Sequence, residues 1–425
     1  PDIEFKSVSQ EIIPEIVYDT TTESIKKYIN DVFDYWEGRQ HREPSKLSRQ
    51  DIKDIVNFLR GDFTFIPTLR DRLDSVEKRL VRLTNEQVQI MNALSMNSHL
   101  LIEGSAGTGK TLLATDFARK RAEKGDRVLY LTYNKNLSNT INRQLDSIEN
   151  LKVINIHALF GEYIPVDVLK MKENATKYFG EILPEEFFEW VSDLPEEDVE
   201  KLKYDLIVMD EGQDIIKPIY LYSLDMLLKG GLEKGDWAVF YDEKQNIYNP
   251  GYSDGMDIIE SYSSAKFKLF VNCRNTIQIG TYSAKESGVQ IDQFLQENGE
   301  DVQMISYSDI NDFKQQIKEI IKKLRAEKAD TSDISFLAPK KYSNSILSKI
   351  GVEVNELGDN YDTKSKLPKF ATIQGFKGLD SKIVILVDVD NIRAENFSKF
   401  IYIAGTRART LLYVVASDEF WKNHK

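Results

Sequence analysis

The stretch His99-Leu-Leu-Ile-Glu-Gly-Ser-Ala-Gly-Thr-Gly-Lys-Thr-Leu-Leu-Ala114 decides the fold. Leu100 to Ile102 reads as a short buried strand. It breaks into a glycine-rich turn and resumes as a helical pattern, with Leu112, Leu113 and Phe117 expected on one face. The turn runs through Gly104, Ser105, Ala106, Gly107, Thr108, Gly109, Lys110 and Thr111, and it fits G-x-x-x-x-G-K-[ST] without a mismatch. Glycines let backbone N–H groups converge on a phosphate, and the helix N-terminus adds partial positive charge. In such a turn Lys110 reaches the β/γ-phosphates and the Thr111 hydroxyl binds Mg²⁺. A nucleoside triphosphate is the ligand this stretch predicts.

Outward from it, strands and helices alternate, the mark of parallel sheets flanked by helices. Strands are expected at 99–103, 127–132, 152–156, 205–209 and 237–241, then at 267–271, 302–306, 334–338, 370–373, 382–388 and 411–416. The loop-rich Asn249-Pro-Gly-Tyr-Ser-Asp-Gly255 separates the two sets. The expected division is a helical N-terminal segment (1–82), a first α/β domain (83–262) with a helical, acidic insertion at 161–203, and a second (263–425). In the N-terminal segment Ile25, Tyr28, Ile29, Val32, Phe33 and Trp36 recur at helical spacing, and 51–59 repeats the pattern. The triplet Glu4-Phe-Lys6 has the spacing of some metal-dependent nucleases, but reads better as solvated charges near a terminus.

The 425 residues carry a net charge of −12, which argues against a uniformly basic nucleic-acid coat while leaving room for a local basic groove. The single Cys273 excludes an internal disulfide and fits a reducing, cytoplasmic setting. Four scattered histidines give no zinc spacing, and no apolar stretch is long enough to span a bilayer. The start at Pro1 rather than methionine predicts processing or a fragment of a longer chain.

A second anchor is Tyr204-Asp-Leu-Ile-Val-Met-Asp-Glu-Gly-Gln-Asp214. Its buried strand delivers Asp210 and Glu211 to the carboxyl end, where open α/β sheets place their ligands. Adjacent carboxylates there suit two tasks: Asp210 holds a Mg²⁺ bridging the phosphates, and Glu211 orients and deprotonates the attacking water. Farther on, Phe397, Phe400, Ile401 and Ala404 trace one helical face. Extending that face puts Arg407 on the packed side, where a cation needs an anion, and turns Arg409 outward as a surface charge.

Together, Gly104–Thr111 and Asp210-Glu-Gly-Gln-Asp214 resemble the UvrD/Rep group of superfamily-one helicases, and the remaining motifs follow in that family's order from about residue 83 to 416. The resemblance implies two tandem RecA-like P-loop domains, with ATP as substrate. Leu83-Thr-Asn-Glu-Gln87 resembles the motif whose glutamine reads adenine, which implies that role for Gln87. An amide can pair with both N6 and N7 of the base. Tyr133-Asn-Lys135 and Asn155-Ile-His157 resemble strand-binding motifs, and Thr372-Ile-Gln-Gly-Phe-Lys-Gly-Leu-Asp380 the motif linking DNA to nucleotide. Tyr133, Asn134, Lys135, His157 and Thr372 are thereby implied single-strand contacts, and Gly378 and Asp380 nucleotide contacts. Tyr241-Asp-Glu-Lys-Gln245 resembles the γ-phosphate-sensing motif, while Asn272-Cys-Arg-Asn275 and Tyr402-Ile-Ala-Gly-Thr-Arg-Ala408 resemble those supplying arginine fingers, here Arg274 and Arg407.

The glutamine directly before Asp214 resembles the 3′-to-5′ DNA branch of the superfamily. The chain also departs from the pattern. Large accessory insertions are absent or reduced, Asn249-Pro-Gly-Tyr252 replaces the usual Trp-Arg-Gly, and Gln374 stands where many relatives have histidine. Asn-Cys-Arg-Asn and Phe-Lys-Gly-Leu-Asp resemble short UvrD-like helicases fused to a nuclease-related domain, which implies a nuclease partner and a setting in DNA repair or defence. The resulting expectation is an ATP-dependent single-stranded DNA translocase. Its rivals are a P-loop kinase or metabolite-driven NTPase, which leaves the arginines unexplained, and an ATP-switched clamp or regulatory ATPase subunit working with a nuclease.

Overall fold

The computed structural model describes residues 91–423, apart from 92, 94–95, 246–248, 288–292, 295–298, 359–360 and 393, together with scattered positions between 27 and 48. The chain divides into two compact units, Pro1–Ile66 and Pro67–Lys425. In the first, Lys27, Asn30, Asp31, Val32 and Asp34 are helical. The expected adenine-reading Gln87, the helix at 51–59 and the Glu4-Phe-Lys6 triplet lie outside the described residues.

The second unit is built on two six-stranded parallel sheets. The first contains β1 (His99–Gly104), β2 (Val128–Thr132), β3 (Leu151–Asn155), β4 (Leu206–Asp210), β5 (Asp236–Tyr241) and β6 (Ala265–Leu269), in the order β3-β2-β4-β5-β1-β6. A two-strand pair, β7 (Val271–Asn272) with β8 (Gln293–Phe294), follows. The second sheet contains β9 (Gln303–Tyr307), β10 (Ile334–Ala338), β11 (Asn355–Glu356), β12 (Lys369–Thr372), β13 (Ser381–Leu386) and β14 (Ala408–Ser417), ordered β11-β12-β10-β13-β14-β9.

Central strands such as Leu-Ile-Val-Met-Asp210 and Trp-Ala-Val-Phe-Tyr241 are apolar on both faces because helices cover both. Alternate residues therefore enter opposite cores: Leu101, Met209, Trp237 and Val239 on one side of the first sheet, Ile102, Val208 and Phe240 on the other. The edge strand β6, Ala-Lys-Phe-Lys-Leu269, instead alternates lysine with apolar residues, which keeps its outer face wet.

The strand expected at 267–271 corrects the domain reading. It runs from 265 to 269 and pairs with β1, Leu100 opposite Ala265 through Gly104 opposite Leu269, so it completes the first sheet rather than opening the second. The joint expected near 262 therefore falls before a strand of the first sheet. Arg274 accordingly lies just beyond β7, on the connection leaving the first sheet, not at the end of a second-sheet strand.

Helix α1 (Lys110–Glu123) follows β1, α2 (Lys135–Leu145) follows β2, and α3 (Ile156–Gly161) follows β3. Leu113 and Phe117 of α1 are buried, but Leu112 is 48% exposed. Successive helical residues are separated by about 100°, so Leu112 and Leu113 cannot both face the core fully. The segment 161–203 holds helices at Val168–Glu173, Leu183–Ser192 and Glu196–Leu202. Its Tyr178, Leu183, Phe187 and Val191 enter the same core as Tyr220 and Leu224 of α4 (Pro218–Leu227). In the second-sheet region α5 spans Ala394–Gly405. Among the described residues no helix is long and apolar enough to cross a membrane.

Candidate nucleotide site

The carboxyl ends of β1, β4 and β5 converge where the first sheet faces the loops of the second. Beyond β1 the chain turns at Gly107, whose φ is +83° and whose missing Cβ would lie 2.7 Å from Asn272 Oδ1. Only glycine accommodates both conditions. Gly109, also left-handed, leads into α1, whose N-terminus carries no side-chain cap. The first-turn amides are thus left without a side-chain acceptor, as an anion site requires. The Lys110 ammonium donates to the carbonyls of Gly104, at 2.6 Å, and Ser105, at 3.1 Å, inside the loop where it would meet a phosphate.

Asp210 ends β4 fully buried, accepting hydrogen bonds from Tyr130 Oη and from the Glu211 amide, each at 2.9 Å, and the nearby Thr111 hydroxyl also favours its ionised form. Burial and the neighbouring Glu211 carboxylate push its pKa up. Glu211 sits in the left-handed region, at φ 53°, and accepts from Gln213 Nε2 at 2.5 Å. Burial opposes its ionisation, but Lys377, Lys110 and Arg407 outweigh burial and draw its pKa down. The two carboxylates are thereby differentiated, with Glu211 the more firmly ionised. A hydroxyl and a carboxylate side by side are hard oxygen donors of the kind Mg²⁺ takes alongside phosphate oxygens and water. Among the described residues no cluster of three or more His, Cys, Asp or Glu side chains could hold a metal by itself. The Thr111 hydroxyl and the Asp210 carboxylate fit an ion that takes its other ligands from a triphosphate and water.

Gln213 ties this floor together, and Gln245 joins it to the facing region. Gln213 Oε1 accepts from the Asp242 amide at 2.9 Å. Gln245 donates to Asp242 Oδ2 at 2.6 Å and accepts at Oε1 from an Arg407 terminal amino group at 3.0 Å. Arg407 is 1% exposed. Burial and the nearby Arg274 bring its pKa down to about 10, so it stays charged at neutral pH. Lys377, on the loop after β12, forms a buried ion pair with Asp214 at 2.5 Å and donates to the Gln245 carbonyl at 3.2 Å.

Four further hydrogen bonds hold these loops. Asn275 donates to the carbonyls of Thr406 and Ala408, the Cys273 amide donates to the Gly107 carbonyl, and the Ala106 amide donates to Tyr402 Oη. A cleft of about 490 Å³ remains. It is lined by the glycine-rich loop, Thr111, Glu211, Gln245, Arg274, Gly378, Asp380, Arg407 and Arg409 among others.

The cleft thus brings together most residues expected at a nucleotide site, with one correction. Arg409 is no outward-facing surface charge: its side chain is 20% exposed, lines the cleft and pairs with Asp380. The helical extrapolation fails because α5 stops at Gly405 and Arg409 lies on β14. Asp380, expected to contact nucleotide, meets Arg274 Nε with one oxygen and Arg409 Nε with the other.

The implied strand contacts are differently placed. Tyr133 is 39% exposed and Lys135 is exposed. The Asn134 side chain caps α2 through Oδ1 and donates to the carbonyls of Gln374 and Lys377, so its contacts are internal. Thr372 Oγ1 accepts from the Gly375 amide. His157 meets Tyr220 Oη at 2.9 Å, and burial with Lys217 nearby lowers its pKa to about 4, leaving it neutral. In the stretch that replaces Trp-Arg-Gly, Tyr252 is buried, and Asn249 donates to the carbonyls of Gln213 and Ile216. Asp214, Asp242, Lys377 and Tyr402 also build the site. All four lie inside motifs legible in the sequence, yet nothing local marks which of a motif's polar residues turns inward.

A parallel α/β fold carrying this loop and these paired carboxylates is a P-loop-like nucleotide-binding architecture. The family model of the Schlafen group 3 DNA/RNA helicase domain matches residues 97–331, more than half of the chain, and the chain belongs to that family. That membership places it among helicase-type ATPases acting on nucleic acid. No curated protein matches the chain in sequence.

Proposed function

We propose that the chain is an ATP-dependent translocase on single-stranded DNA, of the UvrD/Rep-like kind, with its two sheets as tandem RecA-like lobes. It moves 3′-to-5′ and works with a nuclease in DNA repair or defence, in the cytoplasm. Thr111 and Asp210 would hold Mg²⁺, which would screen phosphate charge as it develops. Lys110, Arg274 and Arg407 stabilise the transferring phosphoryl group, and Glu211 accepts the proton of the attacking water. Gln87 reads adenine, and the backbone around Ser105, Ala106, Gly107, Thr108 and Gly109 cradles the phosphates, with Gly378 closing the cleft. Strand contacts come from Tyr133, Lys135, His157 and Thr372, with Asn134 acting through the 374–377 loop. The loop that follows the implied strand contacts also carries Lys377, so cleft closure and strand grip move together.

The observation that carries this reading is the Arg407–Gln245–Asp242 chain of buried hydrogen bonds, which spans the cleft from the second sheet's side to the floor of the first. A buried guanidinium delivered across such a joint suits a motor, because such fingers typically contribute about 10³–10⁵ in rate and act only when the cleft closes. The test is ATP hydrolysis with and without a single-stranded DNA oligonucleotide at low salt, beside Glu211→Gln. Strong stimulation abolished by the variant supports the motor, and tailed duplexes then report polarity. Turnover indifferent to both DNA and RNA refutes it.

A further inference from the structure

We propose that Asp380 and Arg409 form a positioning pair for Arg274. This inference rests on reading the cleft as the triphosphate site. Asp380 Oδ2 lies 3.0 Å from Arg274 Nε, and its Oδ1 lies 3.4 Å from Arg409 Nε. One carboxylate thus bridges two guanidinium groups, both mostly shielded from water, at 15% and 20% side-chain exposure.

The backbone explains how Arg409 comes to be there. β13 and β14 pair with Ser381 opposite Ala408 but Ile383 opposite Leu411, so Arg409 and Thr410 together oppose Lys382. Such a bulge re-aims side chains, and it lies at the end of the strand pair next to the cleft. Asp380 immediately precedes the bulged segment, directly after Leu379 and the left-handed Gly378.

The charges require the bridge. Arg274 and Arg407 repel one another across the cleft, an effect that lowers the Arg407 pKa together with burial. A carboxylate fixed at the Nε side of Arg274 offsets that repulsion. It also sets the plane of the fork, turning the outer edge with its two terminal amino groups toward a bidentate anion such as phosphate. When Arg274 engages that anion, Asp380 keeps Arg409 as its counter-ion and stays ionised in place. Burial works against the Asp380 carboxylate, but Arg274, Arg409 and Arg407 hold its pKa below the ordinary value. Arg409 therefore acts through Asp380, and Asp380 through Arg274. Neither touches the reacting atoms, and the nucleotide contact implied for Asp380 becomes a contact to the finger.

The experiment is a double-mutant cycle on DNA-stimulated ATP turnover, comparing wild type, Arg409→Ala, Arg409→Lys, Arg274→Ala and Arg274→Ala/Arg409→Ala. Urea midpoints confirm that each variant is folded. Arg409→Ala is expected to lower kcat about tenfold with KM for ATP within about twofold, and Arg409→Lys to recover most of the loss. On the Arg274→Ala background Arg409→Ala should have no further effect, the signature of coupled residues. Equilibrium binding of ADP should be unchanged by Arg409→Ala, whereas binding of ADP with aluminium fluoride and Mg²⁺ should weaken about tenfold. Equal losses on both backgrounds, or a rise in KM with kcat intact, overturn the positioning pair while leaving the ATPase reading standing. Absence of Glu211-dependent hydrolysis in the wild type overturns both.

Discussion

Replacing Lys377 by methionine removes a cation that joins the two sheets and keeps nearly the same length of side chain. Its ammonium lies 2.5 Å from Asp214 Oδ2, and the two side chains are 10% and 9% exposed. Breaking a buried pair from one side typically costs about 3–5 kcal/mol, because the remaining charge stays out of water. Asp214 has a way to escape that cost, which is to take up a proton. Burial already raises its pKa above the ordinary carboxylate value of 3.8 despite the lysine. From 3.8, protonating a carboxylate at about pH 7 costs about 4 kcal/mol, and at about pH 5.5 about 2 kcal/mol, at 1.36 kcal/mol per unit. The share of the Lys377→Met loss that falls on Asp214 is therefore bounded near 4 kcal/mol at the higher pH and near 2 kcal/mol at the lower.

The sign follows from linkage. The variant binds more protons folded than unfolded across that window, so its deficit relative to wild type shrinks as the pH falls. Because the pair ties the two sheets together, the cost falls on their association. It is read as the urea midpoint of the first unfolding transition, at both pH values. Lys377→Met/Asp214→Asn, which removes both charges of the pair, should recover a large part of the loss. A deficit under about 1 kcal/mol that does not change with pH, or a double variant no better than the single one, would refute the reasoning.

Three further outcomes follow from the same geometry. Arg407→Ala should lower kcat by about 10³ or more with ADP affinity retained, and Arg407→Lys should not rescue it. The guanidinium bonds Ile403 O through Nε and Gln245 through a terminal amino group at once, which a single ammonium cannot reproduce; single-turnover hydrolysis checks this. Gly107→Ala combines a φ of +83° with a contact to Asn272 Oδ1 at 2.7 Å, so it should cost about 1–3 kcal/mol and weaken ADP binding, read by urea unfolding and fluorescence titration. His157, with its pKa lowered to about 4, favours the folded state while neutral. Its contribution, up to about 3 kcal/mol, is complete above about pH 6.5 and lost as the pH falls toward 4, a slope that His157→Phe should flatten.

The sequence by itself determined the parts that consecutive residues build. Gly104 to Thr111 make a phosphate cradle because a strand, a glycine turn and a helix N-terminus follow one another without interruption. Asp210 and Glu211 reach the same end because one apolar strand carries both. Runs apolar on both faces likewise announced buried parallel strands. Tertiary structure alone decided which sheet received the strand at 265–269, since alternation of strands and helices orders elements along the chain but not across a sheet. It alone turned Arg409 into the cleft, because α5 stops at Gly405 and the chain continues as β14, where the helical periodicity no longer applies. It also committed Asn134 to the carbonyls of Gln374 and Lys377, and Lys377 to Asp214. These partners are separated by more than a hundred residues, and the charge or amide that satisfies each of them leaves no mark in the residues beside it. A buried polar group must find a partner, but only the closing of one sheet's loops against the other's fixes which partner it finds.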